Sequence, residues 1–463
     1  METNFTLEQL RDDGLAEAEK ILRTCVHCGF CTATCPTYVL MGDELDSPRG
    51  RIYQIKDMLE NGKPAGKELV THVDRCLSCL SCMSTCPSGV HYMHLVDYAR
   101  SHINQSYNRS FGDKVMRRLL QTVLPYPNRF RLALLGAKLS KPLLPVLEPL
   151  IGNTQLGKRI VAMLRLAPSK IEGPTQTTMP GIFEADEQIM IETDLPRDPA
   201  DVAIRAPSKR VALLSGCAQP ALDSNINGAT IRLLNRLGYE VVLAQGEGCC
   251  GALVHHMGEE DQAHGQARAN IEAWSREIEG DGLDAILITT SGCGTTVKDY
   301  GYMFRNDAQL KKKAEKVSVL ARDVSEFLEE IELPKPDKAL PRLTVAYHSA
   351  CSLQHGQQVK SAPKTLLNRT GLRVKDVPEG HLCCGSAGVY NIMQPDIAGQ
   401  LKERKITNID KTRPDLIAAG NIGCITQIGA GTNTPVVHTI ELLDWAYGGP
   451  IPQKLDGLLR QGR

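Results

Sequence analysis

The chain has 463 residues, too many for one ordinary domain, so two or three domains are predicted. Hydrophobic residues make up 42% and charged residues 23%, which excludes a disordered chain and predicts packed cores. Lysine plus arginine equals aspartate plus glutamate at 53 each, and 5% of the residues are aromatic. Neither a basic field nor a base-stacking surface therefore points to nucleic acid.

The opening segment METNFTLEQLRDDGLAEAEKILR is acidic and helical in pattern, without the basic-then-apolar order of a secretory signal. No window offers 18 uninterrupted apolar residues, so no membrane-spanning helix is expected. Sixteen cysteines without an export signal predict a reducing compartment on the cytoplasmic side, where thiols serve metals or redox chemistry.

Residues 1–105 carry two close-spaced cysteine runs. Cys25, Cys28, Cys31 and Cys35-Pro36 form C-x2-C-x2-C-x3-C-P, and Cys76, Cys79, Cys82 and Cys86-Pro87 repeat it. Zinc is usually held by two separated C-x2-C pairs, whereas this run is typical of [4Fe–4S] ligation. In the two-cluster pattern three thiolates of one run hold a cluster and the fourth, before proline, reaches the other. The expected sets are Cys25, Cys28, Cys31 and Cys86 on one cluster, with Cys76, Cys79, Cys82 and Cys35 on the second. Forty residues separate the runs, and Ile52, Ile55, Met58 and Leu59 recur there at helical spacing. HYMHLVDYARSHINQ after Cys86 is also helical in pattern, so an α-helical two-cluster domain is predicted rather than a β-hairpin ferredoxin. His27, His91 and His94 stand near the motifs, and no role is assigned to them.

Residues 106–205 form a connector. The stretch 114–141 carries seven lysines or arginines and no acid, and prolines at 125, 127, 142, 145 and 149 predict short helices. Its basic face fits a solvated linker packed on a neighbouring domain, or a surface resting on anionic lipid or a partner. GPTQTTMPGIFEADEQ, residues 173–188, is expected to be an irregular loop.

Residues 206–463 contain an internal repeat, divided into lobes 206–335 and 336–463. The first copy holds VALLSGC to Cys217, GEGCCG with Cys249 and Cys250, and ILITTSGC to Cys293. The second holds TVAYHSAC to Cys351, HLCCG with Cys383 and Cys384, and IAAGNIGC to Cys424. The first cysteine and the vicinal pair are 32 positions apart in both copies. Apolar runs such as VALLS, YEVVLA and DAILITT alternate with helical stretches, so each cysteine group should follow a strand of an α/β unit. Two such lobes facing each other by pseudo-twofold symmetry are predicted. The glycine after each pair is expected to let the backbone approach a bulky ligand. Four thiols converging from three strand ends fit an additional iron–sulfur cofactor, a structural zinc or a catalytic dithiol.

These motifs carry a resemblance. The CCG repeats resemble the cysteine-rich domain of heterodisulfide reductases. The whole chain, through CVHCGFCTATCPTY, GDELDSPRGRIY, CPSGV, SGCAQP, GCCGA, SGCG, HLCCGSAG and NIGC, resembles the iron–sulfur subunits of bacterial glycolate oxidases. That resemblance implies an electron-transfer subunit, not itself catalytic, beside a flavoprotein catalytic subunit and a second FAD-linked-oxidase-like subunit. It implies oxidation of glycolate to glyoxylate, with some capacity for D-lactate. FAD would sit on the partners, and electrons would pass on at the cytoplasmic face of the inner membrane, to an acceptor such as quinone. The heterodisulfide reductase segment ends in C-x-x-C, whereas here Cys293-Gly-Thr-Thr and Cys424-Ile-Thr-Gln lack the fifth thiolate. No dinucleotide or Walker A fingerprint is present, the G-x-G at 246–248 leading straight into Cys249. Alternative readings are the equivalent subunit of a lactate or glycerol 3-phosphate dehydrogenase, or a disulfide or quinone reductase. In that last reading His255, His256, His348 and His355 would donate protons.

Overall fold

Helices hold the two cysteine runs. In the computed structural model, which describes residues 1–168, 170–186, 209–336 and 339–461, Asp12 caps the helix Asp13–Thr24 by accepting from the Leu15 amide. Cys25 ends that helix in extended conformation. Ser47 caps the helix Pro48–Glu60, with proline where no amide partner is needed. Its Ile52, Ile55, Met58 and Leu59 are buried, as their spacing predicts. They pack with Ile21 and Leu22 and with Leu95, Val96 and Ile103 of the helix Tyr92–Ser106. In this helical ferredoxin-type unit Cys25, Cys76 and Cys82 belong to the same core, with Cys31 and Cys86 packed against it.

The connector is helical at Phe111–Val123, Pro127–Ser140, Leu144–Ile151 and Gln155–Leu166. It clamps both lobes. Arg131 donates to the carbonyls of Glu172 and Pro220 at 3.0 Å each, Lys158 pairs with Asp396 at 2.7 Å, and Arg159 reaches the Met393 carbonyl at 3.2 Å. The expected loop 173–188, whose positions 187–188 lie outside the described residues, contains a strand, β1 (Gly181–Phe183). Three residues are too few to show alternation, and β1 exists because the first lobe's sheet offers it an edge.

The first lobe contains β2 (Arg210–Leu213), β3 (Glu240–Leu243), β4 (Ala285–Ile288) and β5 (Ala321–Asp323), and the sheet order is β1-β3-β2-β4-β5. β1 is antiparallel to β3, and the other pairs are parallel. The second lobe contains β6 (Thr344–His348), β7 (Arg373–Asp376), β8 (Leu416–Ala419) and β9 (Val436–His438), all parallel in the order β7-β6-β8-β9. Apart from β1, the two orders match strand for strand, so the repeat in sequence is a repeat in structure. Contacts across the lobes are reciprocal: helix Asn225–Arg236 packs on Thr439–Ala446, and Val324–Glu330 packs on Ala362–Arg369. Each pairing joins the helix after one lobe's first repeated strand to the helix after the other's last, the exchange a pseudo-twofold axis produces. A single apolar core running from Val211 and Leu234 to Val345 and Leu443 fills the interface. Asp444, 1% exposed, seals it by accepting from Arg232 at 3.0 Å and Arg236 at 2.6 Å.

Candidate metal centres

The two N-terminal runs fold as equivalent loops. His27 and Gly29 have φ of 55° and 84°, and their counterparts Ser78 and Leu80 have 48° and 61°. Left-handed residues on both sides of the second cysteine curl each loop, turning the sulfurs inward. One cavity is lined by Cys25, Cys28, Cys31 and Cys86, with Cys82 in its wall. A second is lined by Cys35, Cys76, Cys79 and Cys82, and Tyr92 lines both. Cys35 and Cys86 each precede a proline and leave their own run for the other's cavity.

The two cavities differ in exposure. Cys28 is exposed, and Val26 and Phe30 beside it are 64% and 62% exposed. Cys35, Cys76, Cys79 and Cys82 are buried. A buried cation stands against them: Arg51, 1% exposed, donates to the His72 carbonyl at 2.6 Å and to Thr37 Oγ1 at 3.0 Å. Its Nη1 lies 3.8 Å from Cys35 Sγ, and Asp46 accepts from it at 3.2 Å. Burial opposes the charge on Arg51, but Cys76, Tyr92, Cys35 and Asp46 more than offset it, and its pKa is raised. Asp46 is itself fully buried and also meets Arg75 at 2.9 Å and His72 at 3.0 Å.

In the lobes each cysteine group follows a strand. Cys217 contacts Cys249, Cys249 contacts Cys250, and Cys250 contacts Cys293. In the second lobe Cys351 and Cys383 are 3.7 Å apart, and the series continues through Cys384 to Cys424. The glycine after each pair is required by packing. Gly251 (φ +89°) and Gly385 (φ +88°) are left-handed, and a Cβ there would stand 2.9 Å from the Ala263 carbonyl oxygen and 2.6 Å from that of Ala398. The close neighbours are the helices Glu260–Glu279 and Pro395–Asp410.

All sixteen cysteines are free. Burial pushes the Cys31 thiol up to about 11 and drives Cys79 and Cys82 well above the usual thiol range. Contact with a neighbouring thiol, then burial, does the same to Cys217 and Cys351. Packed thiols of this kind deprotonate together only against a strong local positive charge, so the donor sets suit soft metal centres. The second lobe adds such a charge of its own. Lys405 is 2% exposed and donates to the Glu379 carbonyl at 3.0 Å. Burial lowers its pKa, while Cys384, Cys383, Cys351 and Cys424 act in the opposite sense. In the first lobe the neighbours are Asn270, bridging the Gly248 amide at 2.7 Å and the Cys249 carbonyl at 3.1 Å, and Glu247. Burial raises Glu247 to about 7, and it accepts from the Ser215 amide and Trp274 Nε1.

Comparison with known proteins places this geometry. Residues 24–90 match a 4Fe-4S dicluster domain, and residues 211–298 and 345–429 each match a cysteine-rich domain. The chain is 40% identical to the glycolate oxidase iron-sulfur subunit of Escherichia coli, covering 96% of this chain and 99% of that protein. The chain belongs to the glycolate oxidase iron–sulfur subunit family. A probable member from Bacillus subtilis is 30% identical over 92% of this chain and 94% of its own length. Lactate utilization protein A of Bacillus cereus is 26% identical over 51% of this chain and 98% of that protein. A crystal structure of a hypothetical protein from Helicobacter pylori shares the fold with a TM-score of 0.52 at 11% identity, covering 96% of this chain and 74% of that one.

Within this member of the family several histidines hold domains together. His94 contacts Asp299 at 2.9 Å, and His255 and His256 face the buried Asp97 at 3.7 and 3.5 Å. These pairs join the ferredoxin-type unit to the first lobe. His355 bonds Ser84 at 2.7 Å and the His381 carbonyl at 3.1 Å, joining it to the second. Beside that joint, Cys79, Leu77, Cys383 and Tyr390 share one buried cluster with Cys351 at its edge. Tyr390 donates to the Arg75 carbonyl at 2.9 Å. The cysteines of the second cavity thus abut those of the second lobe. Arg51 and Asp46 lie within the stretch GDELDSPRGRIY and Lys405 in no quoted motif, but nothing in the sequence marks any of the three as buried beside cysteines.

Proposed function

We propose that this chain is the electron-carrying, non-catalytic subunit of a complex that oxidises glycolate to glyoxylate on a partner's flavin. The observation that supports this most directly is the continuity of the cysteine groups, from exposed Cys28 through Cys82 and Cys79 to Cys383 and Cys424. In this reading Cys25, Cys28, Cys31 and Cys86 hold one [4Fe–4S] cluster, and Cys35, Cys76, Cys79 and Cys82 hold the other. The lobe sets Cys217, Cys249, Cys250, Cys293 and Cys351, Cys383, Cys384, Cys424 hold further metal centres. Bound clusters supply one-electron acceptance and release, with potentials set by burial and hydrogen bonding to sulfur. The residues do the rest. Cys28, Val26 and Phe30 present the first site to a docking flavoprotein, while Arg51 and Tyr92 keep water from the second and hold its sulfurs. FAD belongs to the flavoprotein and to a second FAD-linked-oxidase-like subunit, and the electrons leave toward a respiratory acceptor.

Anaerobic purification of the tagged chain from its own cells tests this. A flavoprotein should accompany it, about eight irons should belong to the two N-terminal sites, and glycolate should bleach the visible iron–sulfur absorbance. A lone, flavin-free chain that glycolate leaves oxidised would overturn the reading. Bleaching by D-lactate and not glycolate would favour the lactate alternative, which the likeness to lactate utilization protein A supports.

The connector supplies the membrane side of the proposal. Leu132, Leu135, Leu139, Leu143, Val146 and Leu150 are exposed along 127–151, with Arg129 and Lys138 exposed among them. No described helix is long and apolar enough to cross a membrane. Leucines among basic side chains suit an anionic lipid surface, where they enter the interface and the cations meet headgroups. The chain should float with phosphatidylglycerol vesicles and not with phosphatidylcholine ones. Changing Leu135 and Leu139 to glutamate should abolish flotation, and unchanged flotation would discard this surface.

A further inference from the structure

The lobes repeat their cysteines but not the residue three positions before the first one. That residue is Leu214 in the first lobe and His348 in the second. His348 ends β6 and is 1% exposed. Neither of its ring nitrogens has a hydrogen-bond partner among the described residues. Leaving a buried polar group unpaired costs about 1–3 kcal/mol, so such a side chain calls for a partner outside the polypeptide. Its surroundings say which kind. A ring nitrogen of His348 and the sulfurs of Cys384 and Cys424 all lie within 4.8 Å of one another. Ligands at about 2.0–2.3 Å around one tetrahedral ion stand somewhat under 4 Å apart, so the three atoms need only a small closure to share a metal.

We propose that His348 is a metal ligand in the second lobe, giving it a mixed imidazole–thiolate centre while the first lobe's centre is thiolate only. The proposal rests on the reading that Cys351, Cys383, Cys384 and Cys424 hold a metal. Nitrogen and sulfur together suit a borderline-soft ion, either zinc or an iron of a cluster. In the first lobe the equivalent Leu214 is 3% exposed and belongs to the apolar core around Cys250, so that lobe has no nitrogen donor at this point. The repeat has therefore diverged where the end of β6 delivers a side chain to the cysteines.

The full chain, purified anaerobically, would be compared with His348→Leu, which installs the first lobe's residue, with His348→Gln and with Cys424→Ser. Iron and zinc are counted, X-ray absorption is recorded at both edges, and pulsed EPR is recorded on reduced protein with and without isotopically labelled histidine. The wild type should show either a histidine nitrogen coupled to a cluster or one nitrogen at about 2.0–2.1 Å from zinc. Both His348 variants should lose that nitrogen while keeping the iron of the N-terminal sites, which also reports an intact fold. Which edge carries the nitrogen distinguishes zinc from iron. An unchanged nitrogen signature in both variants, or none in the wild type, would overturn the role of His348. If Cys424→Ser leaves the metal content of the chain unaltered, the reading of the second lobe as a metal site falls instead.

Discussion

Serine in place of Cys35 is expected to disturb the same cluster signal as serine in place of Cys79, and to spare the one that serine at Cys28 disturbs. The expectation runs against proximity in sequence, since Cys35 is 7 positions from Cys28 and 44 from Cys79. It follows from the cavities: Cys35 lines the one built by Cys76, Cys79 and Cys82, while Cys86 lines the one built by Cys25, Cys28 and Cys31. Cys35 stands at the start of the helix Pro36–Met41, with its sulfur 3.2 Å from Thr37 Oγ1 and turned toward Arg51. A serine oxygen there would be a harder and shorter donor than a thiolate. Roughly four of about eight N-terminal irons should be lost, or that cluster's potential should shift while the other's stays. Cys86→Ser should behave like Cys28→Ser. EPR of the reduced variants, compared pairwise, decides it: if Cys35→Ser groups with Cys28→Ser, the clusters are not crossed.

Much of this arrangement was legible because its signals are local. A C-x2-C-x2-C loop and a following proline dictate their own turn geometry, and short apolar runs between helical stretches mark parallel strands wherever they pack. Repetition did more, since two copies with matching spacing implied two alike α/β lobes. What sequence did not reveal depends on closure between distant segments. β1 needs the edge of β3, and nothing in Gly181–Phe183 announces it. Gly251 and Gly385 are also needed because the carbonyls of Ala263 and Ala398 stand close to them, which no local pattern announces. His348 stood out in the sequence only as a candidate proton donor, and it is β6 and the helix Ile422–Gly429 that bring it beside Cys424. Arg51 was the least visible, because it is one of several charged residues on the helix Pro48–Glu60, and such residues are ordinarily placed outside.

Arg51→Met should therefore have an effect out of proportion to one surface-type residue. Arg51 and Asp46 are 1% and 0% exposed, and breaking such a pair from one side typically costs about 3–5 kcal/mol because a charge stays buried without its partner. Asp46 keeps Arg75 and His72, which places the expected loss toward the lower end of that range. The methionine also withdraws the donors to the His72 carbonyl and Thr37 and the cation nearest Cys35 and Cys76. Less positive charge beside a thiolate-held cluster disfavours its reduced, more negative form, so the second cluster's potential should fall while the first cluster's stays. Arg51→Lys keeps the charge but not the fork of donors, and should restore the potential more than the stability. The control is Arg49→Ala, which removes an exposed pair with Glu44 worth about 0–1 kcal/mol. Thermal unfolding of the holoprotein and redox titration followed by EPR read both effects. Equal behaviour of the Arg51→Met and Arg49→Ala variants would show that the buried guanidinium neither supports the domain nor tunes the site.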